Sequence, residues 1–504
     1  MKQVQLILIS IVFLLLSNVE VIAQKDSTQF VTTWRTTNFG QGGDSTVVIP
    51  IDTNYTYNFD VDWDNDGIFD DLGVTDTIAH LYPDTGTYTI RIKGTFPRYY
   101  VRLIDPTQNV SGDEKLIALE QWGTNPWLNI DQMFWRIDDF MYNAVDTPNL
   151  TFITSLDDLF NTNRKFNSDV SNWDVSRIES MSGTFAYCDS FNQPMASWDV
   201  TNVTDMRQLF VGCDNFNQPI NNWNVDSVKT FTGMFEGTSF NLPLNNWNVG
   251  NAIDLGAMFR NSHFNQPINN WDVSRVINMG WMFANSAFNQ PLDNWRVDSV
   301  QQMTTMFRNG VFNQPLPSWN TGSVRYMSWM FSGNKVFDQD VGNWDIRDDR
   351  FSFRFMQGML DSTNMSVANY DSTLIKWARQ NKLGPYLGAA GLSYCFSDSV
   401  RSDLINNHFW TFVGDTLDCL SVGVEEEIVE QQETFKMYPN PTLQDFIIER
   451  FGTSSEVLVI YDMQGRLIHQ EQVQTRKIQV RTRGLESGFY LVRLGNETKR
   501  LVVY

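Results

Sequence analysis

Histidine is almost missing from this chain. His80, His263, His408 and His469 are the only four in 504 residues, and they fall in four unrelated contexts. Imidazole is the usual general acid–base near neutral pH and the commonest metal ligand, so its scarcity removes most hydrolase and metalloenzyme schemes. No nucleophile elbow, zincin motif or phosphate-binding loop occurs. Two carboxylates alone suffice for glycoside hydrolysis, yet no pair stands out among the 58 acidic residues. The chain therefore reads as non-enzymatic.

Long apolar runs are also absent, with one exception. Nothing after the N-terminus approaches the ~20 residues of a transmembrane helix. The exception, Leu6 to Leu16, lies behind Met1-Lys2 and ahead of Val21-Ile22-Ala23. It reads as a secretory signal peptide over residues 1–23. No cysteine follows the expected cut, so no lipid anchor and no transmembrane segment are expected in the mature chain. Basic residues are the minority, 37 against 58 acidic, for a net charge of −21. The last seventy residues carry 10 basic and 7 acidic groups, which leaves −24 for everything before them. A field of that sign disfavours nucleic acid and anionic lipid as partners.

What the chain has in abundance is a repeat. Eight times between Phe166 and Trp344 it runs F-N-Q-P-x-x-x-W-x-V with small variations, followed about nine residues later by M-F. The tryptophans Trp173, Trp198, Trp223, Trp247, Trp271, Trp295, Trp319 and Trp344 are 24 or 25 residues apart, and each follows a Phe by seven residues. So short a unit cannot bury its own apolar face and must share a core with its neighbours. Within a unit, Val203, Met206, Leu209 and Phe210 follow a one-face helical spacing, with Thr201, Ser274 or Ser299 placed as N-caps. The proline-interrupted F-N-Q-P segment reads as extended. The expected fold is an α/β solenoid over 113–365, with the repeated asparagines bonding to the adjoining coil.

The flanks differ. Residues 24–112 alternate as strands do, for example over Thr87 to Ile92. Residues 366–419 form an irregular C-terminal cap with helical patterns at Asn369–Ala378 and from Val400. An acidic linker spans 420–434, and β-alternation returns over 435–504 as a small sandwich. The four cysteines of an exported chain read as two bridges. Cys395 and Cys419 enclose a cap loop worth about 3 kcal/mol when closed. Cys188 and Cys213 hold equivalent places on adjacent coils, where a bridge is geometrically reasonable.

Three resemblances follow from these residues. Phe264-Asn-Gln-Pro-Ile-Asn-Asn-Trp-Asp-Val-Ser-Arg-Val276 through Met282-Phe283 resembles the unit of BspA-like leucine-rich-repeat surface proteins, and the Asn369–Cys419 region resembles the segment that closes such arrays. That resemblance implies adhesion to matrix proteins or other cells and carries over no ligand residues. Val61 to Gly67 with His80 to Ile90 resembles a PKD-type β-sandwich module. The C-terminal pieces Tyr438-Pro439-Asn440-Pro441, Tyr461 to Arg466, Gly488-Phe489-Tyr490 and Lys499 resemble the sorting domain of the type IX secretion system of Bacteroidetes. This implies contact with that machinery and an extracellular or outer-membrane-surface location.

Two candidate binding features remain. Asp62, Asp64, Asp66 and Asp70 alternate around Gly67 in the manner of oxygen ligands for Ca²⁺, although Gly73 stands where an EF-hand needs its bidentate Glu. Calcium is the one cofactor expected. At the residue before the second Met of each unit, Gly183, Gln208, Gly233, Ala257 and Thr305 give way to Trp281 and Trp329 in two units. If Met and Phe face the core, these two tryptophans face outward as an apolar platform for a protein or glycan ligand, or else pack across the outer face. The leading expectation is a secreted, non-enzymatic adhesion scaffold. A self-associating surface-layer or biofilm component comes second, and a secreted hydrolase third.

Overall fold

The computed structural model describes residues 26–36, 45–99, 115–137, 139–348, 355–419, 435–438, 440, 442, 445–450, 455–462, 466–481, 485–495 and 497–503. The expected signal peptide and acidic linker lie outside the described residues, as do Pro439 and Pro441. Two compact units divide at Leu417 and Asp418.

The first unit opens with β1 (Phe30–Arg35), β2 (Thr46–Ile49), β3 (Asn58–Asp62), β4 (Asp71–Val74), β5 (Ile78–Leu81), β6 (Thr87–Thr95), β7 (Leu116–Gln121) and β8 (Met141–Tyr142). Six of them form one sheet in the order β4-β3-β6-β1-β7-β8, while β2 and β5 pair separately. The alternation in β6 works as the sequence implies: Ile90 and Ile92 are buried and Arg91 between them is not. Antiparallel pairing joins β1 to both β6 and β7. The segments expected to divide at 112 and 113 therefore share one sheet. They also share a core, with Phe30 4.9 Å from Trp127 and 6.4 Å from Trp122 between ring centroids. The open edge of the repeats needs a partner for its backbone groups, and β7 with β8 provides one.

Among the described residues, the repeats contain neither helix nor extended strand, which corrects the expectation of a helical turn in each unit. The apolar spacing comes from tight turns instead. Over residues 206–213 every backbone N–H has a partner, and the partners alternate. Leu209, Val211 and Cys213 donate three residues back, to the carbonyls of Met206, Gln208 and Phe210. Met206, Gln208, Phe210 and Gly212 donate to Thr230, Thr232, Met234 and Glu236 of the next coil, and Arg207 donates to Asp205 Oδ1. Half the N–H groups are thus committed to the neighbouring coil and cannot close the i→i−4 bonds of a helix. Single-residue parallel bridges mark the register from Ser155 through Ser180, Asp205, Thr230, Asp254, Asn278 and Gln302 to Tyr326. Thr201 and Ser274 cap no helix; their N–H groups donate to Asp199 and Asp272 in Asx turns.

The fixed letters of the repeat have fixed tasks. Each indole from Trp198 to Trp344 donates its N–H to a carbonyl of the preceding coil, as Trp295 does to Ile268 at 3.0 Å. The same carbonyl also accepts a backbone N–H within its own coil, as Ile268 O does from Trp271 at 3.1 Å, so phenylalanine would leave it one partner but lose the bond that ties two coils together. The Asn of F-N-Q forms a second column. Asn217 N–H donates to Asn192 Oδ1, Asn241 to Asn217, Asn265 to Asn241 and Asn289 to Asn265. Phenylalanines stack along the array, with Phe283 5.8 Å from Phe259 and 5.7 Å from Phe307. This coil-to-coil bonding continues into the cap, where Phe331 donates to Met359, Leu360 to Gly388 and Ala389 to Val413. The cap holds helices Val367–Ala378 and Asp398–His408, with β9 (Tyr386–Gly388), β10 (Ser393–Tyr394), β11 (Thr411–Val413) and β12 (Thr416–Leu417).

The second unit has two sheets over one core. β13 (Phe435–Tyr438), β14 (Phe446–Arg450) and β17 (Lys477–Val480) form one; β15 (Glu456–Asp462), β16 (Leu467–Val473), β18 (Gly488–Leu494) and β19 (Glu497–Val503) form the other. Phe435, Phe446 and Ile478 meet Leu458, Val492 and Leu501 between them.

Candidate functional site

Ten residues after each repeat tryptophan from Trp173 to Trp319 the backbone turns left-handed. Gly183, Gln208, Gly233, Ala257, Trp281, Thr305 and Trp329 all have φ between 53° and 65°. A Cβ there costs about 1–2 kcal/mol, so Gly183 and Gly233 answer to the backbone as much as to exposure, while Gln208, Ala257 and Thr305 carry the same cost as the tryptophans. Trp281 and Trp329 are bulky residues held in that region, the kind of outlier that accompanies function.

Their surroundings are unequal. Trp281 is 37% exposed, and the Arg260 guanidinium lies 4.7 Å from its ring centroid. Trp329 is half-buried and lies against bare Gly358, where an added Cβ would meet the indole edge. Thr305, on the coil between them, is buried. The two rings thus stand two coils apart, each leaning on its own neighbours. Arg260 is a residue the sequence reading missed. Aligning the repeats in register shows it, because Arg260 precedes Trp281 by the same 21 residues as Arg308 precedes Trp329.

The acidic loop lies between β3 and β4. Carboxylate oxygens of Asp62, Asp64 and Asp70 lie within 4.8 Å of one another. Asp66 stands apart from that group and accepts from Ile68 N–H at 2.7 Å. Buried Asp62 accepts from Asn65 and Gly67 N–H at 2.7 and 3.0 Å, and Asp70 accepts from Trp63 N–H at 3.0 Å. These bonds make the loop a self-satisfied turn whose remaining lone pairs suit a hard cation.

Cys395 and Cys419 are disulfide-bonded. Cys188 and Cys213 are free and buried, which corrects the expected bridge. Each thiol points to a carbonyl of the preceding coil, Cys188 to Phe160 O at 3.1 Å and Cys213 to Phe185 O at 2.9 Å. In later coils the same column holds Thr238, Ser262 and Ser286, whose hydroxyls also donate to Phe carbonyls. The cysteines act as hydrogen-bonding small residues, and burial pushes both thiols well above their usual range. Thiol titration of the denatured, unreduced protein should give two reactive groups; none would mean the pair is bridged after all. Serine at both positions should change stability by no more than about 1 kcal/mol.

In the second unit, Asn440 donates Nδ2–H to Arg500 O at 2.7 Å and accepts from Val502 N–H at 2.9 Å. It ties the start of the unit to its last strand. Gly488 pairs with Val503, Tyr490 donates to Glu486 O at 2.8 Å, and Lys499 Nζ is 3.1 Å from Glu497. Tyr438 donates to Glu449 Oε2 at 3.1 Å. These are positions within a fold and include no cluster arranged for chemistry.

Comparison with known families agrees with this division. The family model described as "Mycoplasma protein of unknown function, DUF285" matches residues 108–203, 128–243, 193–287 and 262–377. Together these matches span more than half the chain, and the chain belongs to that family. The secretion system C-terminal sorting domain matches residues 436–503. No curated protein and no solved structure matches the chain. The sorting domain makes this a secreted or cell-surface protein that engages the type IX machinery. No helix among the described residues is long and apolar enough to cross a membrane.

Proposed function

We propose that the chain is a non-enzymatic adhesion or ligand-binding scaffold on the surface of a Bacteroidetes-type cell. Its repeats form a solenoid of the BspA-like leucine-rich-repeat kind, preceded by a PKD-like module and a signal peptide. The observation that carries this reading is the placement of Trp281 and Trp329. Both are held in the left-handed region, at a strain that glycine, as in Gly183 and Gly233, would relieve, on a chain delivered to the surface. The fixed letters of the repeat are committed to core and coil-to-coil bonds, so recognition falls to the positions that vary. Calcium belongs to the proposal as a ligand of Asp62, Asp64 and Asp70.

The test is capture from host-matrix proteins and microbial glycans by the chain without its leader, with and without calcium. Trp281→Ala with Trp329→Ala should weaken capture at least tenfold and leave the fold intact. Unchanged capture would reject the tryptophans. Self-association alone would replace the scaffold with a surface-layer or biofilm component, and turnover of a glycan or peptide would replace it with a hydrolase. Equal thermal stability and capture with and without calcium would remove the cation.

A further inference from the structure

We propose that a shallow depression over the last coils of the array binds an anionic oligosaccharide through Arg275, Arg325 and Arg347. It rests on the reading of the array as a ligand-binding surface and makes no use of Trp281 or Trp329.

The depression has a simple origin. Four residues after the repeat tryptophan stand Arg177, Asn202, Ser227, Asn251, Arg275, Ser299 and Ser323 in successive coils. After Arg275, two serines in a row cut the column short. The hollow this leaves has a volume of about 900 Å³, and Ser299, Ser323 and the three arginines line it. Ile277, 44% exposed, adds one apolar surface.

Charge identifies the ligand class. The chain as a whole carries −21, so carboxylates are plentiful. Yet among the described residues none of these three guanidiniums has a carboxylate within 4.0 Å. Arg275 Nη1 donates to the neutral Asn251 Oδ1 at 2.8 Å, which orients it without neutralising it. Of the two acids on the rim, Asp298 is already held by Arg296 at 3.4 Å and by Asn320 Nδ2–H at 2.8 Å. Asp348 Oδ1 accepts from Leu383 N–H at 2.7 Å. With Asp298 matched by Arg296, three guanidiniums outnumber the one remaining rim carboxylate, Asp348, and their forks suit bidentate pairing with carboxylate or sulfate. An acidic peptide would need recesses for its side chains. The hollow instead offers hydroxyls and the Gln301 amide along an open floor, which suits a hydroxyl-rich chain carrying anionic groups.

The experiment uses the full chain and four immobilised probes: a polyuronate, a sulfated glycan, neutral dextran and polyglutamate. Either or both of the charged glycans should bind, and the two arms separate carboxylate from sulfate as the recognised group. Binding should weaken as salt rises. Arg275→Gln, Arg325→Gln and Arg347→Gln together should reduce it at least tenfold, with an unchanged unfolding midpoint as the check on folding. Trp281→Ala with Trp329→Ala should leave it intact. The proposal is overturned if the triple variant binds like wild type, if neither charged glycan exceeds dextran, if polyglutamate binds as tightly, or if only the tryptophan variant loses binding. Wild type that captures ligands from matrix while ignoring these polyanions defeats the site alone. Wild type that captures nothing defeats the scaffold reading as well.

Discussion

Alanine at Phe283 is expected to cost about 3–5 kcal/mol, while alanine at Trp281, two residues earlier, costs about 1 kcal/mol. The two residues differ less in size than in position. Phe283 is 1% exposed and its ring is 4.0 Å from Phe288, 5.8 Å from Phe259 and 5.7 Å from Phe307. Its loss opens a cavity shared by three coils, none of which can close it alone. Trp281 is partly solvated, and its removal forfeits one cation–π contact of about 1 kcal/mol or less. Denaturant unfolding followed by circular dichroism would measure both. Equal losses would mean that the outer tryptophan is as structural as the inner phenylalanine, and the distinction between core and binding face would fail.

Removal of the Asp371 carboxylate should be nearly as damaging, by about 3–5 kcal/mol, because several neutral donors lose one buried acceptor at about 1–3 kcal/mol each. Asp371 is 0% exposed. It accepts from Phe396 N–H at 2.8 Å, Ser397 N–H at 3.1 Å and the Ser397 hydroxyl, and more distantly from Cys395 N–H at 3.2 Å. Asp371→Ala leaves these donors unpaired in the cap, next to the cysteine that bridges to Cys419. Limited proteolysis should then cut the cap first, and mild reductant should open the Cys395–Cys419 bond at lower concentration than in wild type. A variant as protease-resistant as wild type would show that the disulfide holds the cap without help.

The period of the array and the identity of its core were legible because each core letter recurs at one spacing. The strands over Gly488 to Leu494 and Glu456 to Tyr461 were legible for a similar reason, since alternation exposes its own period. The turns were not. Val203, Met206, Leu209 and Phe210 satisfy a helical spacing, and only the bonding of alternate N–H groups to the next coil distinguishes the two structures. A left-handed residue such as Gln208 or Thr305 leaves little trace in a single copy. It appears when all copies are aligned and glycine is seen to recur at the same place. Cys188 and Cys213 misled for the opposite reason. Equivalent places on adjacent coils suggested a bridge, but the column they occupy also holds Thr238 and Ser262, which fixes its task as donating to a carbonyl. The arginine hollow was invisible in sequence because it depends on two successive serines following Arg275, a run that only the stacked coils bring together.

The column Asn192, Asn217, Asn241, Asn265 and Asn289 has a consequence for how such a gene changes. Every coil offers its successor the same amide oxygen that it borrows from its predecessor, so the junction between any two copies resembles the junction between any other two. Loss or duplication of one unit by recombination between copies recreates a native seam and leaves both ends capped. The number of units can therefore change without breaking a seam, and any outward side chain would be copied or discarded a whole rung at a time.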